Sequence, residues 1–209
     1  NRGIRGDFLL YVMTGVFLFM CHVKAMTAVV GSEGPTSAMM KHAPMNTIVA
    51  IGAAAMGELY IQILSVTVVL FLYHAAWIPL EIHDLLGCIL MMLLAWFSGV
   101  AVGTIFLALK PWSPKAVNLV SQIYSRTNMF ASGKMFVANA LPGFMLPIFD
   151  WNPLFHTIDQ SRGFVFINYN PFNSNLAYPI WVGIALVMIG LMGEFYTRRH
   201  ASISWSARR

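Results

Sequence analysis

The sequence predicts an all-α integral membrane protein, a bundle of helices that cross the bilayer. Three observations predict it. Of 209 residues, 58% are hydrophobic and only 10% are charged, where a soluble domain carries about a quarter. The mean hydropathy is +0.68. The apolar residues gather in runs of about 20 or more, the length that crosses a hydrocarbon core. Such a chain lacks the charge to clothe a water-facing surface, so lipid is its outer solvent.

Five runs qualify as spans: Phe8–Val30, Ile48–Tyr73, Leu86–Leu109, Val117–Ala140 and Ala177–Thr197. The second is long and carries Glu58, and the fourth is unusually polar. The net charge of +5 does not point to nucleic acid, because most basic residues sit at the ends of apolar runs. One set of loops holds Lys41, Lys110, Lys115, Arg198, Arg199, Arg208 and Arg209; the opposite set holds Arg2, Arg5 and Arg162. The positive-inside rule makes the first set cytoplasmic, which puts the C-terminus inside and the N-terminus outside. An odd number of spans with an outside N-terminus is expected of a chain lacking one upstream span. The chain forms a single transmembrane domain over 1–209.

Residues 31–47 read GSEGPTSAMMKHAPMNT. Gly34-Pro35 makes a turn, Thr36 caps a short helix over Ser37–His42, and Pro44 stops it. Met39 and Met40 are exposed on this helix. It is read either as a plain connector or as a knob that docks a cytoplasmic partner, since Met adapts to a partner's groove.

Residues 141–176 are rich in aromatics, Pro and Asn and too broken for one span. Asn152-Pro153 opens a helix. Asp159 and Arg162, three apart, are expected to pair. Residues 144–166 are read as one or two half-helices dipping into the outer leaflet, a lid over an external opening. The alternative is an aromatic belt at the interface.

Polar residues inside the spans carry the functional signal. Asn118, Ser121, Ser125, Asn128 and Ser132 recur every three or four residues. They lie on one helical face, with Gln122 and Arg126 beside it. Lipid is a poor neighbour for that stripe, so it faces other helices or lines a hydrated path. Glu58 lies about 15 Å into its span, at about the depth of Arg126. The two are expected to pair, within one subunit or across a dimer. Gln62 and Ser65 extend the Glu58 face. Lys24 snorkels, and Lys134 is a weaker candidate for the path. Gly99 and Gly103 form a GxxxG that permits close helix contact. Cys21 and Cys88 read as small core residues, not as a disulfide or metal pair.

No catalytic motif appears. There is no HExxH, GxSxG or CxxC, and no GxxxxGK[ST]. The chain is therefore not read as an enzyme, and any energy from ATP comes from a partner.

The chain resembles the membrane subunit of ABC-2-type exporters, nearest to the permeases of capsular polysaccharide and O-antigen export. Trp151–Gly163, WNPLFHTIDQSRG, looks like that family's stretch before the last span, matching at Asn152, Pro153, Leu154, His156 and Arg162, with Asp159 near the family's acid. FYTRRH at the end of the last span and MMKHAP before the second are similar to the family's basic cluster and cytoplasmic loop. Glu58 falls where the family often has Glu, whereas Val49 and Ala54 stand where it often has Asp and Arg. The family has six spans; the match covers the last five, with the first missing.

The resemblance implies two copies of this subunit in a bacterial inner membrane, each docking a separate ATPase subunit that holds ATP and Mg. Ser37, Met39, Met40, Lys41 and His42 would form the coupling helix. A lipid-linked or lipid-anchored polysaccharide would pass outward between the subunits along Glu58, Gln62, Asn118, Ser121, Gln122, Ser125, Arg126, Asn128 and Ser132. Tyr124, Phe130 and Trp96 would stack on sugars or simply pack. Trp151, Asn152, Pro153, His156, Asp159 and Arg162 would gate the external mouth. No cofactor or metal is implied in this chain. Two rivals remain: an exporter of the same fold for a drug or small lipid-like cargo, and a non-transport membrane enzyme or anchor. A wide hydrated channel favours glycan; a closed apolar cleft favours the small cargo.

Overall fold

The structure, a computed structural model, describes residues 7–32, 46–76, 79 and 82–200. Helices and turns, with no strand, make up the described residues. The helices are α1 (Phe8–Gly31), α2 (Thr47–Ala76), α3 (Leu85–Leu109), α4 (Pro114–Ala131), α5 (Leu146–Phe149), α6 (Pro153–Val165) and α7 (Ala177–His200). A 3-10 turn at Ala138–Ala140 precedes α5. The expected docking helix with Ser37, Met39, Met40, Lys41 and His42 lies outside the described residues.

Among the described residues four helices, α1, α2, α3 and α7, are long and apolar enough to cross a membrane. Their 24 to 30 residues reach about 36 Å or more at 1.5 Å per residue. Side-chain caps begin two of them. Asp7 accepts from the Leu9 amide at 3.0 Å and Asp84 from the Gly87 amide at 3.1 Å, satisfying donors that helix starts leave free. Tertiary bonds show α1, α3 and α7 running one way and α2 the other. Asp7 at the start of α1 also takes the hydroxyl of Tyr73 near the end of α2. At the opposite face Lys110, just after α3, donates to Val30 O of α1 at 2.7 Å, and Thr197 of α7 donates to Ala108 O at 3.0 Å.

Helix α3 is the centre of the bundle, packed on α1, α6 and α7. Its approach to α1 is set by the GxxxG pair. A Cβ at Gly99 would collide with the His22 carbonyl, and one at Gly103 would lie 2.8 Å from Val29 Cβ. With no side chain at either position, van der Waals contact between the backbones replaces contact with lipid.

The expected span 117–140 is not one continuous helix. Helix α4 stops at Ala131, and Gly133 turns the chain with φ 74°, the left-handed geometry that ends helices. The reason lies in a distant residue. Arg162 draws the carbonyls of Gly133, Lys134 and Phe136 out of any helical ladder.

Helix α6 is the most enclosed element although it is among the least apolar. Ten of its 13 residues are buried, against six of 30 in α2. Leu154 and Ile158 pack on Leu18, Phe19, Met91 and Ala95 halfway along α1 and α3, while Val165 meets Leu10 at the start of α1. Thus α6 enters the bundle with its N-terminus at mid-depth and its C-terminus at the face that holds Asp7. Thirteen residues are too few to span, and a helix at that depth must be shielded by protein. It forms a plug inserted into the bundle.

Candidate functional site

Three polar arrangements sit inside this apolar frame. The first is centred on His22, which is fully buried in α1. Its Nδ1 lies 2.8 Å from Ser98 Oγ, and its Nε2 lies 3.0 Å from Tyr124 Oη and 3.5 Å from Asn128 Nδ2. Ser98 spends its own proton on Ala95 O at 2.8 Å, so its oxygen accepts here. Nδ1 therefore carries the proton, and Nε2 accepts from the Tyr124 hydroxyl. Asn128 Oδ1 in turn accepts from Asn152 Nδ2 at 2.6 Å, and Asn152 Oδ1 caps α6 through the Leu154 amide at 3.0 Å. One hydrogen-bonded chain thus joins α3, α1, α4 and the inserted end of α6.

The second arrangement holds the segment around α6. The Arg162 guanidinium, 1% exposed, donates to the Gly133, Phe136 and Lys134 carbonyls at 3.0, 2.6 and 2.8 Å. It also stacks on the Tyr11 ring at 4.3 Å, a favourable contact for a cation. Asp159 accepts from the hydroxyls of Tyr169 and Ser174. Burial pushes its carboxyl up from the usual range, opposed by those hydroxyls and by Arg162. His156 donates from Nε2 to Asp150 O at 2.6 Å, while its Nδ1 accepts from the Asn175 amide at 3.1 Å. These bonds pin both flanking loops to α6.

The third is a groove of about 560 Å³ between α4 and the second half of α1. Its polar wall is Asn118, Ser121, Gln122, Ser125 and Arg126, with Lys110 at one end. Arg126 and Gln122 are exposed, and Ser121 and Ser125 are half-buried.

The predicted residues divide accordingly. The stripe of α4 splits along its length. Asn118, Ser121, Gln122, Ser125 and Arg126 meet in the groove, whereas Asn128 and Ser132 are buried. Glu58 and Gln62 do not join the groove; they bond to each other at 2.7 Å, and Glu58 acts electrostatically on Cys21 of α1. The expected Glu58–Arg126 ion pair does not form within this chain, where α2 packs mainly against α1. Asp159 and Arg162 form no ion pair either: each is already taken by hydroxyls or carbonyls from other segments. Lys134 lies over the Phe19 ring at 4.1 Å instead of in the groove.

Trp151 is exposed, while Asn152, Pro153, His156, Asp159 and Arg162 are buried around α6. Trp96 donates to Ala55 O at 2.8 Å and Tyr124 packs edge-on against Phe106. Phe130 is exposed. Cys21 and Cys88 are free thiols. Among the described residues no group of His, Cys, Asp and Glu could hold a metal ion.

Sequence reasoning missed His22, Ser98, Tyr169 and Ser174. A polar residue inside an apolar run was signal enough for His22. Tyr169 and Ser174 sit in a broken loop and gave none.

Four apolar helices with a polar plug define a multi-pass helical membrane protein. Comparison with known protein families and with curated protein sequences finds no match.

Proposed function

We propose that this chain is the membrane permease subunit of an ATP-driven exporter that moves a lipid-linked or lipid-anchored polysaccharide outward. Two copies work together, and separate ATPase subunits supply the energy. One observation carries the reading. Helix α4 buries only two of its 18 residues and turns amides, hydroxyls and an arginine into an open groove within a bundle of membrane-crossing helices. Lipid is a poor cover for such a wall. Water, a hydroxyl-rich cargo and the matching wall of a second copy suit it. The polar lining favours a glycan over a small lipid-like cargo, which an apolar cleft would suit better.

The test is made in cells. Depleting the protein should strip the glycan from the surface and leave it lipid-linked inside; unchanged surface glycan would sink the reading. Replacing Met39, Met40 and Lys41 with alanine should separate ATP hydrolysis from export. In membranes, cysteine at Ser125 should react with a membrane-impermeant maleimide, while cysteine at Leu119 should not.

A further inference from the structure

Arg126 poses a problem that the structure sharpens. It lies on the same helix as Tyr124 and Asn128, which reach His22 well inside α1, so it stands level with the interior of α1. It forms no ion pair with any described carboxylate. Each described acid has another position: Asp7 and Asp84 cap helices, Glu58 bonds Gln62, Asp150 and Asp159 bond residues around α6, and Glu194 is buried on α7. The Arg126 guanidinium is exposed to the groove, with its planar fork of donors open to an anion. The groove offers a second cation, Lys110, together with the amides and hydroxyls of Asn118, Ser121, Gln122 and Ser125. None of its described lining residues is acidic. Among the described residues the groove therefore has one sign of charge and a surplus of donors, the complement of a tetrahedral oxyanion.

We propose that this groove is a binding site for a phosphate group, held by the Arg126 guanidinium and assisted by Lys110 and the α4 amides. The phosphate is borne by a lipid headgroup or is free in water. This site rests on the reading of the groove as a hydrated path but is separable from transport. If cysteine at Ser125 is sealed from water-soluble reagent, the path reading fails. Phosphate binding without export would leave the site standing.

The experiment titrates purified full-length protein in detergent, reading the shift of its thermal unfolding midpoint. The probes are dihexanoyl phosphatidic acid, dihexanoylglycerol and inorganic phosphate. Phosphatidic acid should bind, and Arg126→Gln should weaken it by about tenfold or more, the effect of one charge-assisted hydrogen bond. Arg126→Lys should recover most of the affinity. A matching response to inorganic phosphate identifies the free anion as sufficient; a response to phosphatidic acid alone identifies the lipid headgroup. Should Arg126→Gln fail to fold, Gln122→Glu tests the same idea. It places a carboxylate one helical turn before Arg126 and should abolish binding of the probe. Equal affinity in wild type and variants would overturn the site, as would an equal response to dihexanoylglycerol, which has the same acyl chains and no phosphate. So would loss of dimer in both Glu58→Gln and Arg126→Gln with no probe bound, which would give Arg126 to Glu58 of a second copy.

Discussion

Nδ1 of His22 donates to Ser98 Oγ across 2.8 Å, and this bond fixes every proton in the chain that follows. Because Ser98 already gives its hydrogen to Ala95 O, His22 must accept at Nε2, and Tyr124 must donate. Tyr124→Phe therefore leaves a buried acceptor with only Asn128 at 3.5 Å. A loss of about 1–3 kcal/mol is expected, read from unfolding midpoints in detergent. The double variant with Ser98→Ala should show non-additivity, because both changes act on one ring.

Replacing Arg162 should be the most damaging single change around α6. Methionine would strand three carbonyls and is expected to destabilise by about 3–5 kcal/mol. Lysine should rescue poorly, since a point-like ammonium does not reproduce the planar fork. Limited proteolysis should then cut first between 132 and 152. Wild-type resistance in the methionine variant would contradict this role.

Two glycines make a matched pair. Gly99→Ala collides with the His22 carbonyl, whereas a Cβ at Gly52 meets nothing within 4 Å. Gly52→Ala should be neutral or stabilising by up to about 1 kcal/mol through helix propensity. Gly99→Ala should lower the midpoint and loosen α1 from α3, measurable as new labelling of Cys21.

Asp159 predicts a pH dependence. Burial raises its carboxyl above the ordinary value of 3.8. The folded state therefore binds the proton more tightly than the unfolded chain. That contribution is complete below the unfolded value and is lost as pH rises through the folded one. Relative to Asp159→Asn, which does not titrate there, the wild-type midpoint should fall as pH rises from about 4. A parallel pair of curves would refute the assignment.

How much of this was legible beforehand varies by element. The bounds of α1, α2, α3 and α7 follow from run length, Asp caps and hydropathy, all local properties. The end of α4 was not legible. Residues 132–140 turn at Gly133, with φ 74°, and are held by Arg162, about 30 positions away. The polar stripe of α4 was legible as a stripe, but its division between groove and core depended on where His22 and Asn152 stand.

By itself the sequence determined that the chain lives in a membrane, where its apolar runs begin and end, and that polar residues interrupt them. Those facts rest on composition and on neighbours within a helical turn. Tertiary structure alone decided the partners. Glu58 and Arg126 form no ion pair within the chain, and Glu58 bonds Gln62 on its own helix instead. Asp159 and Arg162 are three apart yet serve different segments. In a low-dielectric interior each polar group takes the nearest competent partner, and which one is nearest is set by helix packing.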